Sequence, residues 1–170
     1  APAANHLITE ARGWHESLYA KFSLAEGAKS YQAYVKSDDE TDYHKVDRQL
    51  TRNYGTHGRV DVVGLRAGTY SLKVVPVYED GSEGEASTVE GLKVVPYSRE
   101  GFAHYGRSEG IGAYNNDGTL KANAKVVYIT KENAAELQPL LTSYSKGTLA
   151  STPLCVRIIG LLKKEDMGTL

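Results

Sequence analysis

The sequence predicts an all-β chain in two unequal parts, and three observations lead there. Short apolar/polar alternations recur through the first half of the 170 residues. Turn residues separate them about every 8–12 positions, the spacing of β-sandwich strands. Beyond Pro96 the alternation gives way to nearly continuous apolar, β-branched runs, which suit strands covered on both faces.

From Leu18 the pattern has period two: Leu18, Ala20 and Phe22 share one face, Tyr19, Lys21 and Ser23 the other. A turn over Leu24–Ala28 follows, then a second alternation from Ser30 to Lys36 through Tyr31, Ala33 and Val35. The polar run Ser37–Asp42 predicts a turn. Asp47–Tyr54 predicts a charged edge strand, since charge on an edge discourages pairing with other chains. Arg59–Leu65 and Thr69–Tyr78 predict two further strands. The acidic turn Glu79–Ser82 then leads to a last strand ending at Pro96.

Within this half, Leu65-Arg66-Ala67-Gly68-Thr69-Tyr70 places a leucine and a glycine ahead of a tyrosine that opens an alternating strand. That spacing suits a tyrosine corner, in which the phenol ties back to nearby backbone. On these residues the segment 14–97 resembles fibronectin type III domains, with 1–13 as an N-terminal tail. Phe22 or Trp14 stands in for the early tryptophan usual in that family.

After a linker over 98–105, the segment 106–170 has another character. Gly106 to Tyr114 is rich in glycine, but its spacing fits no phosphate-binding signature, and loop glycines in a tight cap suit it better. Asn115-Asn116-Asp117-Gly118 predicts a tight turn. Lys125–Thr130 and Val156–Leu162 predict strands buried on both faces. Between them Asn133 is a candidate helix cap with Glu136 reaching back; Ala134, Leu137 and Leu141 would share the buried face, and Pro139 limits or restarts the helix. Two such strands and one helix need further layers to cover them, as the first coils of a solenoid do. The 170 residues do not supply those layers, so they are expected beyond Leu170.

The run from Gly110-Ile111-Gly112-Ala113 through Lys125-Val126-Val127-Tyr128-Ile129-Thr130 to Val156-Arg157-Ile158-Ile159-Gly160 resembles the opening of pectate lyases of polysaccharide lyase family 1. The resemblance implies the cap and first strands of a right-handed parallel β-helix, incomplete here, with a short capping helix. It implies an exported bacterial protein, secreted, periplasmic or at the cell surface. The partner it implies is an acidic plant polysaccharide, pectin or polygalacturonate. The implied reaction is β-elimination: a base removes the proton alpha to the uronate carboxylate while Ca²⁺ stabilises the developing charge. The family's arginine and calcium aspartates lie in later coils, and no position here matches them. The expectation is therefore no catalytic, cofactor-binding or metal-binding residue in this chain, with Ca²⁺ belonging to the parent enzyme.

Composition narrows the alternatives. A net charge of -1 gives no electrostatic case for nucleic acid. No apolar run approaches the roughly 18–20 residues that span a bilayer. Cys155, the single cysteine, sits between apolar neighbours and suits a buried small hydrophobe better than a catalytic thiol. His6, His15, His44, His57 and His104 are scattered without metal spacing. Asp38, Asp39, Glu40 and Asp42 lack the glycine and distal glutamate of a calcium loop, which favours a hydrated turn. Tyrosine outnumbers phenylalanine 12 to 2. Half-buried strand positions explain that excess most simply, but a ring with a hydroxyl also suits a carbohydrate surface. Two rival functions therefore stand beside the lyase: a non-enzymatic carbohydrate- or protein-binding module, and a β-helix glycoside hydrolase.

Overall fold

The computed structural model describes residues 7–96, 112–146 and 149–168. It is mostly β-sheet, with few helical residues, and divides into two compact units, Ala1–Pro96 and Tyr97–Leu170.

The first unit is built from two four-stranded antiparallel sheets. One has the order β1-β2-β6-β5: β1 (Ile8–Trp14), β2 (Ser17–Phe22), β6 (Gly58–Val63) and β5 (Leu50–Asn53). The other has the order β4-β3-β7-β8: β4 (His44–Lys45), β3 (Ser30–Ser37), β7 (Gly68–Val77) and β8 (Ser87–Val94). The period-two pattern decides which side chains meet. Leu18, Ala20 and Phe22 of β2 and Val60 and Val62 of β6 enter one shared core with Ala33, Leu72, Val74, Leu92 and Val94. Phe22 is fully buried, which contributes about 1.5–3 kcal/mol, and its ring packs 4.5 Å from that of Tyr31. The Tyr31 hydroxyl accepts from the Ala25 N–H at 2.7 Å, fixing the turn after β2.

Tyr70, near the start of β7, donates its hydroxyl to the Arg66 carbonyl at 2.8 Å. The chain thus makes the tie-back that the Leu65–Tyr70 spacing predicts. Phe22, not Trp14, is the core aromatic, because Trp14 is 63% exposed.

Two features depart from expectation here. Residues Ile8–Trp14, expected largely as tail, form β1. A register shift between Ile8 and Glu10 breaks the alternation, so the strand does not show as period two. The end of β1 also meets β8. The Glu16 N–H donates to Val95 O at 2.9 Å, the Val95 N–H donates to Trp14 O at 3.0 Å, and His15 and Val95 form a parallel bridge. Gly13 permits this approach: a Cβ there would lie 1.8 Å from the Lys93 carbonyl oxygen. The second feature is Gln49. Its Oε1 accepts from the buried Ala33 N–H at 2.6 Å, and its Nε2 donates to the Tyr31 carbonyl, so a side chain pairs β3 backbone beyond the short β4.

In the second unit, Asn115–Gly118 makes the expected turn. The Gly118 N–H donates to Asn115 O at 3.1 Å, Gly118 has φ 86°, and Asp117 accepts from the Thr119 N–H at 3.0 Å. β9 (Lys125–Ile129) and β10 (Leu154–Ile158) pair in parallel, residue for residue. The second strand lies earlier than the expected Val156–Leu162 and ends before Gly160, whose φ of 79° leaves the strand region. Burial on both faces is not found. Ile129 and Cys155 are buried, whereas Tyr128 is 38% and Ile158 40% exposed. The physical reason is that cover is partial on each face: Cys155 and Val126 pack with Ala113, Tyr114 and Ala124 on one, and Ile129 is buried on the other, while Tyr128 and Ile158 stay exposed.

The helical segment is a 3₁₀ turn (Ala134–Glu136) running into α1 (Leu137–Ser145). Pro139 falls in the first turn of α1, where no backbone N–H is needed, so it restarts the helix and does not end it. Asn133 makes no side-chain cap. It accepts from the Thr130 N–H at 2.7 Å and donates to Tyr128 O at 3.1 Å, tying the turn to the end of β9. Of the face expected to be buried, Ala134 is buried, but Leu141 is 43% exposed. The linker 98–105 and the glycines before Gly112 lie outside the described residues.

Candidate functional site

The outer face of the β1-β2-β6-β5 sheet gathers the most chemistry in one place. Strand alternation sends Leu18, Ala20, Phe22, Val60 and Val62 inward, so Tyr19, Lys21, Arg59 and Asp61 stand on the opposite face. Register adds Arg12 beside Tyr19, Glu10 beside Lys21, Trp14 beside Ser17 and Arg52 beside Arg59.

Stepping one strand across and two residues along, the register runs diagonally from Trp14 to Tyr19 to Arg59 and on to Tyr54. At about 7–8 Å per diagonal step, three steps make a track of about 22 Å. The Arg59 guanidinium lies 4.2 Å from the Tyr19 ring centroid, a cation–π contact along that diagonal. Its Nε and Nη2 donate to the two oxygens of Asp61 at 2.9 and 2.8 Å, a bidentate pair that sets its plane. At the far end Tyr54, 49% exposed, stacks on His57 with centroids 4.9 Å apart, and Arg52 lies 5.9 Å from the Tyr54 ring. The Tyr54 N–H donates to His57 O at 2.9 Å across a turn in which Gly55 has φ 83°. A shallow groove here is lined by Leu50, Arg52, Tyr54, Arg59 and Asp61.

The charges are partly neutralised within the face. Glu10 accepts from the Tyr19 hydroxyl at 2.5 Å and from Lys21 Nζ at 3.1 Å. These two bonds hold the Glu10 carboxyl below its usual range, the tyrosine bond counting most. The same bond raises the Tyr19 phenol above its usual value. Asp61 keeps Arg59 more firmly protonated. Among the described residues, Arg12 and Arg52 enter no ion pair, so the face carries two cations in excess.

The remaining candidates are separate. His15 Nδ1 lies 2.9 Å from Pro96 O, His44 pairs with Glu40 at 3.2 Å, and His57 stacks on Tyr54. His6 and His104 lie outside the described residues. In the acidic turn, Glu40 Oε2 accepts from the Ser37 N–H at 2.9 Å, so this carboxylate is used in shaping the turn. No three His, Cys, Asp or Glu side chains among the described residues come together to hold a metal. Cys155 is buried, 3.3 Å from the Tyr114 hydroxyl. No described helix is long and apolar enough to cross a membrane. Sequence alternation finds Tyr19 and Lys21 as outward positions, but not the diagonal track, because Arg12 and Trp14 fall in and beside the apparent tail and register is a tertiary property.

No known protein-family profile and no curated protein matches the chain. Among solved structures, the crystal structure of a β-1,2-glucanase from Parabacteroides distasonis is similar at 20% identity and a TM-score of 0.37. The match covers 52% of this chain and 13% of that one, a likeness too slight to bear on fold or activity.

Proposed function

We propose that the chain is the N-terminal portion of an exported polysaccharide lyase that cleaves polygalacturonate by Ca²⁺-assisted β-elimination. In this proposal residues 8–94 are a fibronectin type III-like module, and 112–168 belong to the cap and first strands of a right-handed parallel β-helix. The observation that carries it is the β9–β10 pair, parallel and in register over Lys125–Ile129 and Leu154–Ile158, with Tyr128 and Ile158 still exposed. Parallel sheets are ordinarily covered on both faces, and stacked coils are one way to cover them. The sequence resemblance of these same strands to pectate lyase openings supplies the substrate class. The Leu65–Tyr70 corner, with its hydroxyl bonded to Arg66 O, supports the module assignment.

In the proposed reaction a base takes the proton alpha to the uronate carboxylate, and the bond to the departing glycosidic oxygen breaks, leaving a carbon–carbon double bond. Both base and calcium are placed in coils outside this chain, and no residue here is assigned to either. The test is incubation of the protein that joins this chain to its continuation with polygalacturonate and Ca²⁺, followed by ultraviolet absorbance. Growth of an unsaturated product is expected. Its absence with every acidic glycan tried removes the lyase assignment, and cleavage without a double bond indicates a hydrolase. A non-enzymatic binding role is the second reading, favoured by the aromatic and cationic track on the first sheet.

A further inference from the structure

We propose that the outer face of the β1-β2-β6-β5 sheet is a binding track for an extended uronate polysaccharide. The inference deepens the proposed function by giving the first unit a glycan-holding role, and it rests on that reading only for the choice of uronate.

Three properties of the face point to this ligand. The track is a diagonal across four strands, about 22 Å long, which suits a chain of several sugar units more than a compact ligand. It alternates aromatic and cationic groups: Trp14 at 63% exposure, Tyr19 with Arg59 over its ring, then Tyr54 at 49%. Sugar rings present C–H faces that pack on exposed aromatic rings, and Trp and Tyr supply such area at small entropic cost. Charge is the third property. Glu10 and Asp61 are engaged by Lys21 and Arg59, while Arg12 and Arg52 enter no ion pair. These two arginines lie on opposite edge strands, three strand spacings across and two residues along, or about 16 Å apart. Planar guanidinium groups match carboxylates in a two-pronged geometry, so a glycan bearing repeated carboxylates complements the face better than a neutral one. The Glu10–Lys21 and Arg59–Asp61 pairs keep the inner side chains ordered, so fewer need to be immobilised on binding.

The experiment uses the whole chain in affinity electrophoresis and calorimetry. The probes are polygalacturonate, fully methyl-esterified pectin and a neutral galactan. Polygalacturonate is expected to retard the chain, with affinity falling as salt rises; the other two are expected to bind weakly. Arg12→Ala with Arg52→Ala should weaken polygalacturonate binding at least about tenfold, or about 1.4 kcal/mol. Trp14→Ala should weaken it while leaving the circular dichroism unchanged. A Lys29→Ala control, at an exposed pair with Glu79 away from the track, should bind as the unsubstituted chain does. Three results would overturn the proposal: no retardation by polygalacturonate, equal binding of the esterified or neutral glycan, or affinity unaffected by the arginine substitutions. Binding by this chain without unsaturated product from the longer protein would leave the track standing and remove the lyase. Product without binding here would do the reverse.

Discussion

Gly13→Ala is expected to unsettle the junction between the two sheets of the first unit. An added Cβ would lie 1.8 Å from the Lys93 carbonyl oxygen and 2.9 Å from the Lys93 nitrogen. Ordinary carbon–oxygen contacts sit at about 3.3–3.6 Å, so the strands must part by about 1.5 Å. Both partners are backbone, and no rotamer change relieves the overlap. Parting them strains the two hydrogen bonds joining Trp14 and Glu16 to Val95. Each contributes about 0.5–1.5 kcal/mol, and overpacking adds about 1–3 kcal/mol. The expected loss is therefore about 2–6 kcal/mol, a large part of the 5–15 kcal/mol typical of a domain. Urea unfolding followed by fluorescence of Trp14, the single tryptophan, reads this unit. With a slope of about 1.5 kcal/mol/M the midpoint should fall by about 1–4 M. Without the contact, Gly→Ala would stabilise by about 0.4–1 kcal/mol through the unfolded chain. An unchanged or raised midpoint would therefore refute the close approach of β1 and β8.

Three further outcomes follow from the first unit. Tyr70→Phe removes the bond to Arg66 O and should cost about 0.5–1.5 kcal/mol in the same unfolding assay; no loss would mean the corner bond adds nothing. Gln49→Ala leaves the buried Ala33 N–H without its acceptor and should cost about 1–3 kcal/mol, with faster amide exchange at Ala33; exchange as slow as before would contradict the pairing. The Glu10–Tyr19 bond makes stability depend on pH at both ends. The lowered Glu10 value stabilises the fold above the ordinary glutamate range, and that contribution is lost as pH falls through the folded value. The raised Tyr19 value stabilises it below the ordinary tyrosine range, and that contribution is lost as pH rises through the folded value. Site-resolved NMR of ring-labelled tyrosine should show Tyr19 ionising at lower pH in Glu10→Gln, and an unmoved titration would count against the bond.

Local residue order settled much about this protein. Alternation at Leu18–Phe22, Ser30–Lys36 and Thr69–Tyr78 was enough to place three strands and their inward faces, because period two and burial are linked by strand geometry alone. Turn chemistry at Asn115–Gly118 and the Leu65–Tyr70 spacing were legible for the same reason: each is satisfied within a few residues. Tertiary structure decided the rest. Ile8–Trp14 becomes a strand because β2 pairs with it, Gly13 admits β8, and Gln49 completes β3 from 16 residues away. The diagonal from Trp14 to Tyr54 crosses four strands, and only inter-strand register, a long-range consequence of packing, aligns it.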